Sequence, residues 1–194
     1  ADCLLTGVTR GLDLAAAPLI AAALQVYWTH LLLSVQADSI GRGQPFGRIE
    51  DETVCPCCAS RPVASITRNA GSLLGQRYLQ CSLCNLQWHM VRIKCTHCLS
   101  TRSVAYHSLQ PADAPDAENA ASALAQAETC DDCNHYLKIF HTDRDPHVDC
   151  VADDLATLTL DLLVSESGSR RHGVNLMLLF GAPDPDDPPD PGAS

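Results

Sequence analysis

The chain has 194 residues, enough for one medium domain or two small ones with a buried core. Hydrophobic residues make up 46% of it but aromatic residues only 5%, so aliphatic side chains and bound metals are expected to supply much of the stability. The net charge of −10 argues against a general nucleic-acid-binding protein. The charge is unevenly placed, because residues 53–112 contain six cations and no acid.

The first predicted element is a helix within Leu12–Ser34, a long and largely apolar run. About twenty apolar residues suffice to span a membrane, so a membrane span is the competing interpretation. Much of the apolarity here is alanine, however, and the run contains polar side chains that are costly in lipid. We therefore predict a packed helix that turns Tyr27 and Trp28 toward a core, within a helical segment and linker over residues 1–52.

Four Cys-x-x-Cys pairs dominate the chemistry of the chain. Each such turn presents two thiolates on one side of a tight loop, and two turns complete the tetrahedral sulfur shell that Zn²⁺ or a single Fe prefers. The eight cysteines therefore supply two complete sites. The predicted metal ligands are Cys55, Cys58, Cys81, Cys84, Cys95, Cys98, Cys130 and Cys133.

Disulfide bonds and a redox dithiol are the competing interpretations of these pairs. Disulfides suit secreted proteins, and the sequence shows no secretory signal pattern. A thioredoxin-like dithiol usually occurs once, ahead of a helix, whereas each pair here is flanked by strand-like sequence. Tetrathiolate metal sites are the favoured prediction.

The order in which the pairs combine is suggested by their spacing. The first two pairs are separated by 22 residues and the last two by 31, but only 10 residues separate the second pair from the third. Sequential pairing gives two modules, each with room for a β-hairpin between its knuckles. An interleaved cross-brace, in which the first pair joins the third and the second joins the fourth, stays open at this point.

Each module is predicted to be a small β-ribbon, the first over residues 53–94 and the second over residues 95–148. Gln76–Gln80 is a predicted strand leading into a knuckle, and Tyr136–Phe140 is a predicted return strand. Trp88–Lys94 alternates in the way that indicates a strand. That strand would run directly into the third cysteine pair and join the modules into a stiff tandem.

Three segments are predicted to be irregular. Gly41–Asp51 contains glycines and a proline and indicates a linker, and Pro111–Ala127 is rich in Ala, Asp and Pro and indicates a loop. Ala182–Ser194 contains five prolines and four aspartates and predicts a disordered acidic tail.

The residue after each second cysteine commonly adopts a left-handed backbone that directs amides at the sulfurs. Asn85 and Asn134 tolerate this conformation. Ala59 and Leu99 do so less readily, so their two knuckles are expected to be strained or differently shaped.

Residues 149–181 predict a carboxy-terminal helix followed by an apolar segment. Asp149 is a candidate N-cap and Gly168 a candidate stop. The predicted apolar face holds Val151, Leu155, Leu158 and Leu162. The sequence as a whole thus predicts an α+β fold, in which tandem metal knuckles of the zinc-ribbon type are flanked by an amino-terminal and a carboxy-terminal helix.

Several reactive side chains are left over once the two sulfur shells are complete. Cys3, Cys57 and Cys150 are expected to be bystander thiols, the alternative for Cys57 being that it substitutes for one of the two ligands beside it. His97 and His135 lie in or beside knuckles and are expected to sit outside the metal shells. No nucleophile–base pair, carboxylate pair or phosphate-binding loop is recognisable, so the chain is predicted not to be an enzyme.

The acidic residues beyond position 113 offer a different kind of surface. We predict that Asp131, Asp132, Asp153 and Asp154 form an acidic face that binds a partner, the alternative being a solvated surface without a partner.

Six segments of the chain resemble one family, the formate dehydrogenase accessory (formation) proteins, FdhE. They are Ala22–Trp28, Arg77–Cys84, Trp88–Cys98, Ala127–Cys133, Tyr136–Lys138 and Ala152–Leu163. The family is longer at its amino terminus, so its helical part is expected to be truncated in this chain. Ala59 and Leu99 also replace glycines expected after two knuckles, and the proline expected around Gly173–Met177 is absent.

The resemblance implies a cytoplasmic accessory factor with two rubredoxin-like, iron-binding tetrathiolate sites, zinc being the alternative metal. It implies binding to the catalytic subunit of respiratory formate dehydrogenase. From composition and charge we expect no membrane insertion and no nucleic-acid partner, and a homodimer is a compatible assembly. Two functions of other classes stand beside it. One is a nucleic-acid-binding zinc ribbon, which would use the acid-free stretch, and the other is a rubredoxin-like electron carrier.

Overall fold

The computed structural model describes residues 13, 15–39, 46, 50–70, 73–110 and 123–178. Most of the predicted linker, the first part of the predicted loop and the whole predicted tail lie outside these residues. The predicted end of the loop at Ala127 is wrong, because residues 125–127 begin a strand.

The described residues alternate between helices and strands as the α+β prediction requires. The helices are α1 (Ala17–Asp38), α2 (Cys150–Ala156) and α3 (Leu158–Glu166). The strands are β1 (Pro62–Ala70), β2 (Leu73–Cys81), β3 (Gln87–His89), β4 (Val104–His107), β5 (Ala125–Cys130), β6 (His135–His141) and β7 (Arg170–Arg171).

One sheet contains all the strands of the described residues, in the order β3-β2-β1-β6-β5-β4, with β7 beside β6. β1 and β2 form an antiparallel hairpin, and β5 pairs antiparallel with both β4 and β6. The two halves meet where β1 runs parallel to β6, with Ser65 opposite Ile139. The modules are therefore halves of one sheet.

The predicted strand between the modules is wrong beyond His89. β3 ends there, and the chain turns through residues 91–94, with Ile93 at a φ of 60°. The turn is wrapped around Arg77 of β2, whose guanidinium donates to the carbonyl of Lys94 at 2.7 Å. Alternation indicated a strand here, but buried hydrogen bonds to Arg77 favour a turn.

Arg77 also joins the two halves of the sheet. Its side chain is 1% exposed and its guanidinium lies 2.6 Å from Oε2 of Glu128 on β5. The same carboxylate accepts from the hydroxyl of Ser65 on β1 at 3.0 Å. A buried charge is tolerated when it is paired and hydrogen-bonded, so this ion pair is part of the interior of the fold.

Helix α1 packs against the second knuckle, Cys81–Cys84, of the first module. Its Gln25 side chain donates to the carbonyl of Ser82 at 2.9 Å, and Asn85 donates to the hydroxyl of Thr29 at 3.1 Å. Trp28 packs against the core, but the prediction for Tyr27 is wrong, because its side chain is 63% exposed. Among the described helices, only α1 is long and apolar enough to span a membrane, and 11% of its most apolar window is buried.

The carboxy-terminal helix is interrupted at Thr157, where α2 ends and α3 begins. Asp149 caps α2 as predicted, accepting from the amides of residues 151 and 152 at 2.9 and 3.0 Å. The predicted apolar face is wrong, however, since Leu158 is 38% and Leu162 is 66% exposed. Leu160 and Val164 are the leucine and valine that α3 buries.

Four charged side chains explain this rotation of the helices. Lys138 of β6 lies 3.0 Å from Asp154 and 2.5 Å from Asp161. Arg171 of β7 binds the same two carboxylates at 2.5 and 2.7 Å. The buried Lys138 and the partly buried Arg171 thus draw two acids of α2 and α3 inward, and part of the leucine face turns outward.

Candidate metal centres

The first cysteine group lies between the start of the β1–β2 hairpin and its end. Cys55 and Cys58 lie in the turn before β1, Cys81 ends β2, and Cys84 lies in the turn before β3. The sulfurs of Cys55 and Cys84 are 3.5 Å apart, those of Cys58 and Cys81 are 3.4 Å apart, and Cys58 lies 3.7 Å from Cys84.

The second group repeats this arrangement in the other half of the sheet. Cys95 and Cys98 follow the turn held by Arg77, and Cys130 ends β5. Cys133 lies in the turn between β5 and β6. The sulfurs of Cys95 and Cys133 are 3.6 Å apart, and those of Cys98 and Cys130 are 3.7 Å apart.

These separations fit a tetrahedral metal ion. A metal–sulfur distance of about 2.3 Å places the sulfurs of a regular tetrahedron about 3.8 Å apart. The distances between neighbouring sulfurs, 3.4–3.7 Å, are close to that value in both groups. All eight predicted ligands lie in the two groups, combined in the sequential order rather than the interleaved one.

The backbone of all four knuckles has the expected left-handed residue. Ala59, Asn85, Leu99 and Asn134 have φ values of 58°, 60°, 62° and 54°. The knuckles with alanine and leucine are therefore not differently shaped, and they carry a backbone strain of about 1–2 kcal/mol each. Backbone amides approach the sulfurs, as at Leu83, whose N–H lies 3.3 Å from Sγ of Cys81.

The two centres differ in their surroundings. Three cysteines of the first group, Cys55, Cys81 and Cys84, are buried in a core with Trp88, Leu176 and the inner face of α1. In the second group Cys98 is exposed and Cys133 is partly exposed. The first centre is enclosed by packing, while the second has an open side.

The remaining thiols of the described residues are partly or fully buried. Burial raises the pKa of Cys150 to about 12, and burial next to Cys55 and Cys58 raises the pKa of Cys57. Both are therefore protonated near neutral pH and poorly nucleophilic. Cys3 lies outside the described residues.

Three histidines surround the open side of the second centre. The rings of His97 and His135 are stacked, with centroids 3.8 Å apart and planes 6° apart. His172 meets them edge-on, its centroid 5.3 Å from that of His97. Burial, with Arg61 nearby, lowers the pKa of His172 to about 3, and partial burial beside His135 lowers the pKa of His97. His97 and His172 are therefore neutral near pH 7.

His172 has no signal in the sequence that links it to a metal centre. It follows β7, and the parallel pairing of β7 with β6 is what carries it to His135. A short two-residue strand has no periodicity to detect, so this neighbour could be found only from the fold.

The four acids predicted for partner binding occupy different environments. Asp131 is exposed, and Asp132 accepts from the hydroxyls of Ser100 and Ser103 beside the second centre. Asp153 accepts from the amide of residue 149 at 2.8 Å, closing the cap of α2. Asp154 is completely buried, so it cannot belong to a binding face.

Two domain families match the part of the chain that carries these centres. "FdhE, central domain" matches residues 54–92, and "FdhE, C-terminal domain" matches residues 93–178. The chain belongs to the FdhE family. The resemblance found in the sequence is thus confirmed, and the boundary between the two FdhE domains falls in the turn held by Arg77.

Individual relatives of known sequence or structure support the same family. A protein FdhE homolog from Pseudomonas aeruginosa is 42% identical over 181 residues, covering 93% of this chain and 55% of the relative. Protein FdhE from Salmonella dublin is 40% identical over 165 residues, covering 85% and 48%. The crystal structure of the FdhE protein from Pseudomonas aeruginosa matches with a TM-score of 0.75 at 42% identity, covering 93% of this chain and 57% of that one. The chain spans about half the length of the curated relatives it matches.

Proposed function

We propose that this chain serves the formation of respiratory formate dehydrogenase in the cytoplasm, by holding two metal ions in tetrathiolate centres and binding the catalytic subunit of that enzyme. The observation that carries the proposal is the pair of four-sulfur groups, one in each half of a single sheet, in a member of the FdhE family. The ions would fix the ends of the hairpins and so keep the binding surfaces of the two halves in register.

Iron is the metal that the family resemblance favours, and zinc is the alternative that the same donors accept. Four thiolates fill a tetrahedral shell and leave no open coordination position. The chain is therefore an accessory factor and not a catalyst. A bound ion would supply cross-linking of the knuckles and, if it is iron, one-electron chemistry.

The catalytic subunit is proposed to approach the second centre from the side of Asp131. This residue is exposed at the knuckle, whereas Asp132 and Asp153 hold local structure through their hydrogen bonds. Charge complementarity at such a surface governs the rate of association more than the affinity.

The test is a salt titration of binding between the metal-loaded chain and the purified catalytic subunit. Asp131→Lys should slow association and flatten its salt dependence with the metal content unchanged. Glu166→Lys, the same charge change on an exposed acid at the end of α3, is the matched control and should have a smaller effect. Absence of binding by the unmodified chain would refute the proposal that the catalytic subunit is the partner. Equal effects of the two variants would refute the proposal that it binds on the side of Asp131.

An electron carrier is a second candidate function, favoured by the exposure of Cys98, which would bring an iron centre close to the surface. Reversible iron reduction coupled to formate oxidation would support it. Two cations of the acid-free stretch, which a nucleic-acid-binding surface would need, are already paired with acids. Arg77 is buried against Glu128, and the ammonium of Lys94 lies 2.7 Å from Glu52.

A further inference from the structure

The open side of the second centre is lined with potential ligands. His97, Cys133 and His135 each place a donor atom within 4.8 Å of the others, and Cys133 also belongs to the sulfur group. Imidazole nitrogen and thiolate sulfur together suit borderline divalent cations such as Zn²⁺ and Fe²⁺. A cation there would therefore share one ligand with the tetrathiolate centre.

His135 is oriented as metal-binding histidines commonly are. Its Nδ1 lies 2.7 Å from the carbonyl oxygen of Cys133, an acceptor, so Nδ1 carries the proton. Nε2 is then the ring nitrogen left to bind a cation. A hydrogen bond from the other ring nitrogen to a backbone carbonyl fixes the tautomer and orientation of ligating histidines.

His172 adds an independent observation. Its side chain is 6% exposed, and its Nε2 is buried without a hydrogen-bond partner among the described residues. It lines a small cavity together with Cys95, Cys130 and His135. Buried polar atoms are normally satisfied, so the unpaired ring nitrogen of a histidine that lines this cavity indicates a place for a polar guest.

We propose that His97, His135 and His172, the histidine cluster, form a loading and exchange site through which a divalent cation reaches and leaves the second tetrathiolate centre. The proposal rests on the metal binding proposed above and assigns the first centre as permanent and the second as exchangeable.

The exchange is a ligand substitution without redox change. As a bound cation left, its bond to the sulfur of the exposed Cys98 would be replaced by a bond to an imidazole nitrogen, and the released thiolate would take a proton from a buffer acid. The two rings lie in parallel planes, so their nitrogens do not point at one shared position. One ring must rotate before both can bind the same cation. His97 is exposed and has the freedom to do so.

The test follows metal release from the full chain loaded with two Zn²⁺ ions, using an excess of a chromophoric chelator. Release should occur in two phases of equal amplitude. Replacing both His97 and His135 with Phe keeps the flat stacked shape and removes the nitrogens, and it should slow the fast phase, because no imidazole can then take over the departing ion. The slow phase should not change.

His89→Phe is the matched control, since this exposed histidine lies on β3 and packs edge-on against Tyr78. It should leave both phases unchanged. If the double variant unfolds, His97→Phe alone carries the test with the same expected direction. Failure to retain two ions would refute the proposed metal binding. Retention of two ions with a single release phase, or a fast phase indifferent to the histidine changes, would refute the exchange site alone.

Discussion

The ion pair between Arg77 and Glu128 holds the two halves of the sheet together, and Glu128→Gln tests that role. The change keeps the shape of the side chain and removes its charge. Arg77 would retain its hydrogen bonds to Ser65 and to the carbonyl of Lys94, but its own charge, on a side chain only 1% exposed, would no longer be neutralised.

The expected cost is large for a single isosteric change. Breaking a buried ion pair by removing one partner destabilises a protein by about 3–5 kcal/mol, out of a total stability of about 5–15 kcal/mol. Glu52→Gln is the matched control, because Glu52 pairs with Lys94 at 2.7 Å with side chains 40% and 20% exposed. Exposed pairs contribute about 0.2–1 kcal/mol.

Urea unfolding of the metal-saturated variants measures the difference. Glu128→Gln should lose several times more stability than Glu52→Gln. It should also weaken metal retention at the second centre first, since Arg77 holds the turn that leads into Cys95. Replacing both partners of the buried pair with apolar residues should recover part of the loss. Equal losses for the two glutamine variants would refute the structural role of the pair.

Two further changes test local features of the fold. Leu99→Gly should raise the free energy of unfolding by about 0.5–1 kcal/mol, because relief of left-handed strain (about 1–2 kcal/mol) exceeds the added entropy of the unfolded chain (about 0.4–1 kcal/mol). Asn134→Gly, the control in the same backbone conformation, should change it less. Burial, with Arg144 nearby, lowers the pKa of His141 from 6.5 to about 4. At this site the unfolded chain therefore binds a proton first as pH falls from 6.5 to 4, so the contribution of His141 to stability should decrease in that window and stay constant above it. His141→Gln should show a smaller decrease in the urea midpoint over the same pH range. The same dependence of the midpoint on pH in the variant and the unmodified chain would contradict this.

The knuckles and their hairpins could be predicted from the sequence because their determinants are local. A Cys-x-x-Cys turn needs only its own residues, and so does the cap that Asp149 places on α2. The two cysteine pairs of one module must meet, so the chain between them has to turn back on itself. This requirement predicts the strands that lead into and out of the knuckles.

The outward leucines of α3 could not be predicted in this way. Periodicity places Leu158 and Leu162 on the inner face, but Lys138 and Arg171, distant in sequence, draw Asp154 and Asp161 inward. Charge pairing within the interior overrode the hydrophobic pattern.

The joining of the modules and the position of His172 also depend on distant partners. β1 meets β6, and β6 meets β7, through parallel pairings between segments far apart in the chain. Parallel pairing requires a crossover connection and leaves no short turn signal in the sequence. The shared sheet and the histidine cluster follow from those two pairings.

Metal analysis of the folded chain, purified without chelators, tests the central claim most directly when it is combined with X-ray absorption at the metal edge. The two sulfur groups predict two ions per chain, each surrounded by four sulfurs at about 2.3 Å. A stoichiometry near zero or one in fully folded protein, or a shell in which oxygen replaces sulfur, would contradict it.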